Sequence, residues 1–345
     1  MVNNENKSDL MEILGQKIFF SSSEMMSEID DNSIDVIVTS PPYNRGKKYS
    51  DSDGNLYNDN LPENEYHSLL LTVWKECFRV LHPKGVFFLN IGDSALDQGK
   101  SEKVVQLAEK AGFIRIQTII WVKSFLGRGH YTPSGGEKRL NNIWEHIFIL
   151  VKDKKQFQIF PKDIGIPYAD KSNIGRYGET DLRDAGNIWF IPYSKTTGAT
   201  IKKGHDAPFP IELPARCIQL TRAKTLLDPF LGTGASLGAA KILGISGFGF
   251  EKYPRKEVIQ KVITSASTEI INNMINDQIL LPHLDLTLEF LVNSIAQYKR
   301  LQPSFKLPKM TSKKDQEILN IVTDILEKKH LFSEISDLFS DELAN

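Results

Sequence analysis

The sequence predicts an α/β protein built on a doubly wound, mostly parallel sheet, and three observations carry that prediction. Short continuous apolar runs, such as Val36–Val38 and Val86–Ile91, suit strands buried on both faces. Between such runs lie segments with apolar residues at helical spacing, the clearest being Tyr66, Leu69, Leu70, Val73, Trp74, Cys77, Phe78 and Leu81. Two of the strands end in turns of opposite chemistry, a proline-locked Ser40-Pro41-Pro42-Tyr43 and a glycine-containing Asp228-Pro229-Phe230-Leu231-Gly232-Thr233-Gly234. Alternation of strand and helix means parallel pairing, with ligands gathering beyond the carboxyl ends of the strands.

Composition narrows the class. With 345 residues, 41% hydrophobic and 25% charged, the chain is one large domain or a domain with an appendage. Met1 to Leu10 is polar and no run reaches membrane-spanning length, so a soluble, cytoplasmic protein with no membrane partner is expected. The two cysteines, Cys77 and Cys217, sit in apolar periodic segments, which excludes a disulfide framework, and no metal site is expected. Net charge is −1, yet residues 121–203 hold 14 Lys and Arg against 8 Asp and Glu, so a basic face is local.

In chain order, Ile18–Phe20 reads as a strand and Ser21–Asn32 as a polar or helical link. Arg45–Asn60 is a long polar segment read as a lid over the site. A helix follows Pro62, then strand Val86–Ile91 ending near Asp93, helix Glu102–Ala111 and strand Ile114–Val122. Asp93 is read as capping a loop, with lining the site as the alternative. Ser124–Leu140 is Gly-rich and basic; Arg128, Lys138 and Arg139 are its phosphate-seeking residues. Asn142–Leu150 is a strand, and Lys152–Lys203 mixes basic and aromatic residues without clean periodicity, as an insert would. A turn containing Phe209 leads into a helix from Glu212; strand Thr225–Asp228, helix Ala235–Leu243 and strand Gly247–Glu251 complete the pattern. Residues 254–345 carry no catalytic motif and read as a helical appendage, with a helix over Ser312–Phe332. Hence four regions: 1–150, an insert 151–203, 204–253, and 254–345.

Two prolines after a buried strand fix φ and remove two N–H donors. The carbonyls of Ser40, Pro41 and Pro42 are therefore expected to project without strand partners. Beside a hydroxyl and the Tyr43 ring, they suit a planar group bearing an amine, such as a nucleobase. The six residues Thr39-Ser40-Pro41-Pro42-Tyr43-Asn44 resemble the catalytic motif of amino-group DNA methyltransferases. The glycine turn lacks the Gly-Lys-Ser/Thr of a phosphate loop and the third glycine of a dinucleotide fingerprint. It suits S-adenosylmethionine: Asp228 for the ammonium group, Gly232 and Gly234 for close approach, and Glu251, twenty-three positions on, for ribose hydroxyls.

The order of the two motifs, catalytic first, resembles the β-class of this family. The resemblance covers roughly Ile18 to Glu251 and implies a permuted seven-stranded mixed sheet, with a target-recognition region at 151–203 and Phe209 packing against the cofactor methionine. It also implies that Trp144-Glu145-His146 opens a strand beside the catalytic one; Ser21-Ser22-Ser23 stands where the family places a cofactor-contacting Asp. The implied activity is methyl transfer to N4 of cytosine in double-stranded DNA, with the base flipped out and no covalent intermediate, in a restriction-modification system. Adenine N6 in the same class, RNA or protein glutamine, and an inactive DNA binder are the competing readings. A separately acting restriction endonuclease and a homodimer stay open as partners.

Overall fold

In the computed structural model of the protein the described residues are 9–44, 46, 48–50, 56–93, 97–123, 140, 142–166, 168, 171–176, 178–191 and 209–268. All of them belong to one compact unit. The strands are β1 (Asp9–Ile13), β2 (Gln16–Phe20), β3 (Ile34–Thr39), β4 (Lys48–Ser50), β5 (Leu56–Asn58), β6 (Leu81–Ile91), β7 (Ile114–Val122), β8 (Trp144–Val151), β9 (Ile188–Phe190), β10 (Thr225–Asp228) and β11 (Ser246–Phe250). The helices are α1 (Glu63–Val80), α2 (Lys100–Lys110), α3 (Glu212–Thr221), α4 (Ala235–Ile242) and α5 (Lys256–Ser265).

Nine strands form one sheet in the order β1-β2-β11-β10-β3-β6-β8-β7-β9, and β4 and β5 pair separately as an antiparallel ribbon. Strands β2, β11, β10, β3 and β6 run parallel, β8 is antiparallel to both neighbours, and β1 folds back on β2. From β10 the chain passes through α4 to β11 on one side, while from β3 it passes through α1 to β6 on the other. The order therefore reverses between β10 and β3, and the crevice at their carboxyl ends is the place where such sheets bind ligands. Core lies on both faces. Val36, Val38, Phe88, Leu213 and Ile259 fill one side, and Ile37, Phe87, Leu89, Leu70 and Trp74 the other. Residues of β3 alternate between the two cores, as a strand covered on both faces must.

The class stands as expected, but the sheet has two strands more than seven. β1 comes from residues adjoining the polar N-terminus, joined to β2 by Leu14 and Gly15, both at positive φ (49° and 80°). That backbone favours a two-residue hairpin, yet Leu-Gly lacks the Asn-Gly or Asp-Gly signal that would reveal it. β9 comes from the expected insert: Trp189 is buried and pairs in register with Trp121 of β7, drawing the segment onto the sheet edge. Elsewhere in that region Phe157, Ile159 and Ile164 pack on the core, and the Phe160 N–H donates to Leu220 O at the end of α3.

Other expectations shift. Ser21–Asn32 contains no helix; its turns are tied to α1 by Arg79, which donates to Met26 O and Ile29 O. β8 does not adjoin the catalytic strand, because the chain leaving β3 crosses through α1 into β6, which takes that place. α5 lies beyond Glu251, where the appendage was expected to begin, and its Ile259 and Ile263 are buried in the core with α4. The Ser312–Phe332 helix lies outside the described residues, as do residues 45, 47 and 51–55 of the expected lid, whose described part carries the β4–β5 ribbon.

Candidate active site

The catalytic turn leaves β3 at Thr39 and is held from three sides. Tyr66 of α1 donates its hydroxyl proton to Pro42 O at 2.7 Å. Asn44, in the left-handed region at φ 50°, clamps the Leu61 backbone: its amide donates to Leu61 O at 2.9 Å and its oxygen accepts the Leu61 N–H at 2.7 Å. Asn tolerates that backbone better than most side chains do. The Tyr43 hydroxyl donates to Glu145 Oε2 at 3.0 Å and accepts the Gly92 N–H at 3.2 Å, while Ser40 Oγ approaches it at 3.4 Å. Of the three carbonyls expected to be free, that of Pro42 is thus engaged, because α1 carries a tyrosine one helical turn from its start. Tyr43 is anchored at its oxygen, with its half-buried ring against the core.

Glu145, from the start of β8, is itself fixed. Lys123 Nζ, at the end of β7, bonds its Oε1 at 2.6 Å, and Asn90 of β6 donates to Oε2 at 3.2 Å. Gly92 makes room for it: a Cβ there would lie 2.7 Å from Glu145 Cγ. Three adjacent strand ends therefore converge behind Tyr43. Asp93 turns away and caps α2 by accepting the Ser101 N–H at 2.8 Å, in line with the loop-capping reading.

The cofactor turn leaves the neighbouring strand, β10. Asp228, 1% exposed, accepts Thr39 Oγ1 and Ser236 Oγ, each at 2.6 Å, and the Phe230 N–H at 3.1 Å. Burial pushes its carboxyl up to about 6 despite these bonds. The donors around this carboxylate come from β3, α4 and its own turn, so Asp228 ties the two turns together. Pro229 is buried, Phe230 sets its ring edge-on to Trp74 at 5.9 Å, and Phe209 packs on the core beside α3.

Gly232 takes φ +58°, with nothing nearer than 3.9 Å where a Cβ would be, and its N–H donates to Glu251 Oε2 at 2.8 Å. The other Glu251 oxygen accepts the Tyr253 N–H at 3.0 Å. Burial raises this carboxyl to about 7. Gly234, at φ +91°, starts α4, and a side chain there would press on Ile259. At the end of β2, beside β11, the buried Ser21 Oγ has no hydrogen-bond partner among the described residues. A bare glycine, an acid at a strand end and an orphaned hydroxyl fit a ligand with ribose hydroxyls and an amino acid tail, as S-adenosylmethionine has. Arg128, Lys138 and Arg139 lie outside the described residues. Sequence reasoning missed Lys123, Tyr66, Asn90 and Ser236, which carry no motif of their own and reach the site only through packing.

A permuted doubly wound sheet, with a Ser-Pro-Pro-Tyr turn and an acid-anchored glycine turn on adjacent strands, defines the class of amino-group methyltransferases. Residues 34–261 match the N6/N4 family model described as DNA methylase. The Type II methyltransferase M.MjaI of Methanocaldococcus jannaschii is 31% identical over 271 residues, covering 68% of this chain and 86% of its own. The Type II methyltransferase M.MthZI of Methanothermobacter thermautotrophicus is 27% identical, covering 88% and 89%. The solved PvuII DNA methyltransferase (cytosine-N4-specific) shares the fold at a TM-score of 0.51 and 19% identity, over 76% of this chain and 93% of that one. The chain belongs to the N6/N4 DNA methylase family, which methylates DNA with S-adenosylmethionine as cofactor.

Proposed function

We propose that the enzyme methylates the exocyclic N4 of cytosine in duplex DNA, with the target base flipped into the crevice beyond β3 and β10. The observation that carries this reading is Ser40, a neutral hydroxyl before Pro-Pro-Tyr at the switch point, where the resembled family mostly pairs serine with cytosine. An exocyclic amine is a poor nucleophile because its lone pair is delocalised into the ring. Ser40 Oγ and the Pro41 carbonyl accept its two protons, so the nitrogen pyramidalises and presents the lone pair. The Tyr43 ring, steadied through its hydroxyl, gives the base a face to stack on. The methyl donor supplies an electrophilic carbon whose leaving sulfur keeps the bonding pair, so no covalent enzyme intermediate is needed. Gly232, Gly234, Glu251 and Ser21 hold that donor, and Asp228 sets their distance from Ser40.

Nucleoside mass spectrometry of DNA treated with enzyme and labelled cofactor tests the base. N4-methylcytosine supports the reading; N6-methyladenine as sole product overturns it. We assign DNA contact chiefly to the basic tract. Neutralising Arg128, Lys138 and Arg139 together is expected to flatten log affinity against log salt by about one unit per lost phosphate contact.

A further inference from the structure

Methylating an amine releases a proton, and the catalytic turn contains a route for it. We propose that Glu145 is the terminal acceptor of that proton, reached from the target amine through the Ser40 and Tyr43 hydroxyls; this rests on the assignment of Ser40 to the amine. Ser40 Oγ lies 3.4 Å from the Tyr43 hydroxyl as its donor, and the Tyr43 hydroxyl donates to Glu145 Oε2 at 3.0 Å. The first contact is long, as catalytic hydrogen bonds often are without substrate. Structure has been built around the acid: Asn90 Nδ2 orients Oε2, Lys123 Nζ holds Oε1, and Gly92 yields the space its side chain needs. Positioning Tyr43 alone would need one acceptor, which any carbonyl or amide could supply; a carboxylate is the acceptor that can also keep a proton.

The step balances. As the nitrogen lone pair forms the new bond to carbon, the nitrogen becomes cationic and far more acidic. Its N–H bond breaks toward Ser40 Oγ, the Ser40 proton moves to the Tyr43 oxygen, and the Tyr43 proton moves to Glu145 Oε2. Both hydroxyls end as they began, the amine has exchanged one hydrogen for one methyl group, and Glu145 is neutral until it returns the proton to water. Lys123, immediately after β7, is a charged group in contact with Glu145. His146, next to it on β8, interacts with it electrostatically and is itself surrounded by Asp93, Glu102 and Arg115.

Glu145→Gln separates the proposal from a merely structural role, because glutamine still accepts the Tyr43 proton in a hydrogen bond but cannot keep it. In single-turnover methylation of duplex DNA by the full chain, Glu145→Gln is expected to lose at least about tenfold in rate. KM for DNA and calorimetric affinity for S-adenosylmethionine should stay unchanged. A Glu145→Gln enzyme turning over at the wild-type rate overturns the relay, as does one that has lost cofactor affinity or its cooperative melting transition. The underlying assignment fails separately: Ser40→Ala retaining wild-type rate would remove Ser40 from the amine.

Discussion

The two turns at the switch point sit on neighbouring strands and hold their acids in opposite ways. Behind the catalytic turn, Glu145 meets an ammonium group, Lys123 Nζ, at 2.6 Å. Behind the cofactor turn, Asp228 and Glu251 are hydrogen-bonded to hydroxyls and backbone amides, Arg255 acts on Glu251 through its charge, and burial lifts the two acids to about 6 and about 7. An ion pair fixes geometry. Acids held by dipoles change charge near neutrality, so a ligand that donates hydrogen bonds to them changes their state. The site thus joins a half fixed by an ion pair to a half whose acids titrate close to neutrality.

The sharpest way to break this comparison is Asp228→Ala, which orphans two hydroxyls and an amide together. Urea denaturation should show a loss of about 3 kcal/mol or more, since each buried donor left unsatisfied costs about 1–3 kcal/mol. Unchanged stability would mean the two turns do not depend on their shared acid. Next in size, Gly92→Ala forces a methyl group into Glu145 and should cost about 1–3 kcal/mol as well as slowing methylation. Wild-type activity and melting temperature would show that the catalytic half is not rigid.

Titration sharpens the other side. Both cofactor-side acids have folded values above the ordinary carboxylate range near 4, so between about 4 and 7 the folded state binds more protons than the unfolded one. The stability they contribute is complete below about 4 and is lost as pH rises toward 7. Ribose hydroxyls donating to Glu251 favour its charged form, so S-adenosylmethionine affinity should rise about tenfold from pH 6 to pH 8. Calorimetry in buffers of different ionisation enthalpy should register proton release on binding; a flat pH profile would detach Glu251 from the cofactor. The smallest expected effect is that of Tyr66→Phe, which frees Pro42 O and should cost about 0.5–1.5 kcal/mol by thermal melting.

The two motifs were legible in the sequence because each combines a strand end with residues that strands avoid: prolines in one, an acid and glycines in the other. The central elements were legible for a similar reason, since Ile114–Val122 is a compact, mostly apolar run and the helix from Tyr66 onward keeps one helical period. What stayed hidden depends on tertiary neighbours. Glu145 lies in a strand whose sequence offers only an acid beside a histidine, and its meaning comes from Lys123 at the end of the adjacent strand and from the gap at Gly92. Asp228 was legible as important, but its tie to the other turn was not, because no local pattern reveals that Thr39, 189 positions earlier, would donate to its carboxylate. The edge strands β1 and β9 were missed because one turns on an unusual Leu-Gly pair and the other is pinned by a single buried tryptophan.

The permuted chain order leaves the finished site intact, yet it bears on how the protein is made. β3 gains its partner β6 within a few dozen residues, but the strand on its other side, β10, begins 190 positions after Asp35. At about 5–20 residues per second, roughly 10–40 s of translation separate the two strands. For that interval the most apolar strand of the active site, Val36-Ile37-Val38, carries a bare edge of the kind that other chains add to. A ribosome stalled before residue 228 would therefore hold a nascent chain primed to aggregate, and recombinant yield should depend on translation speed through the middle third of the message.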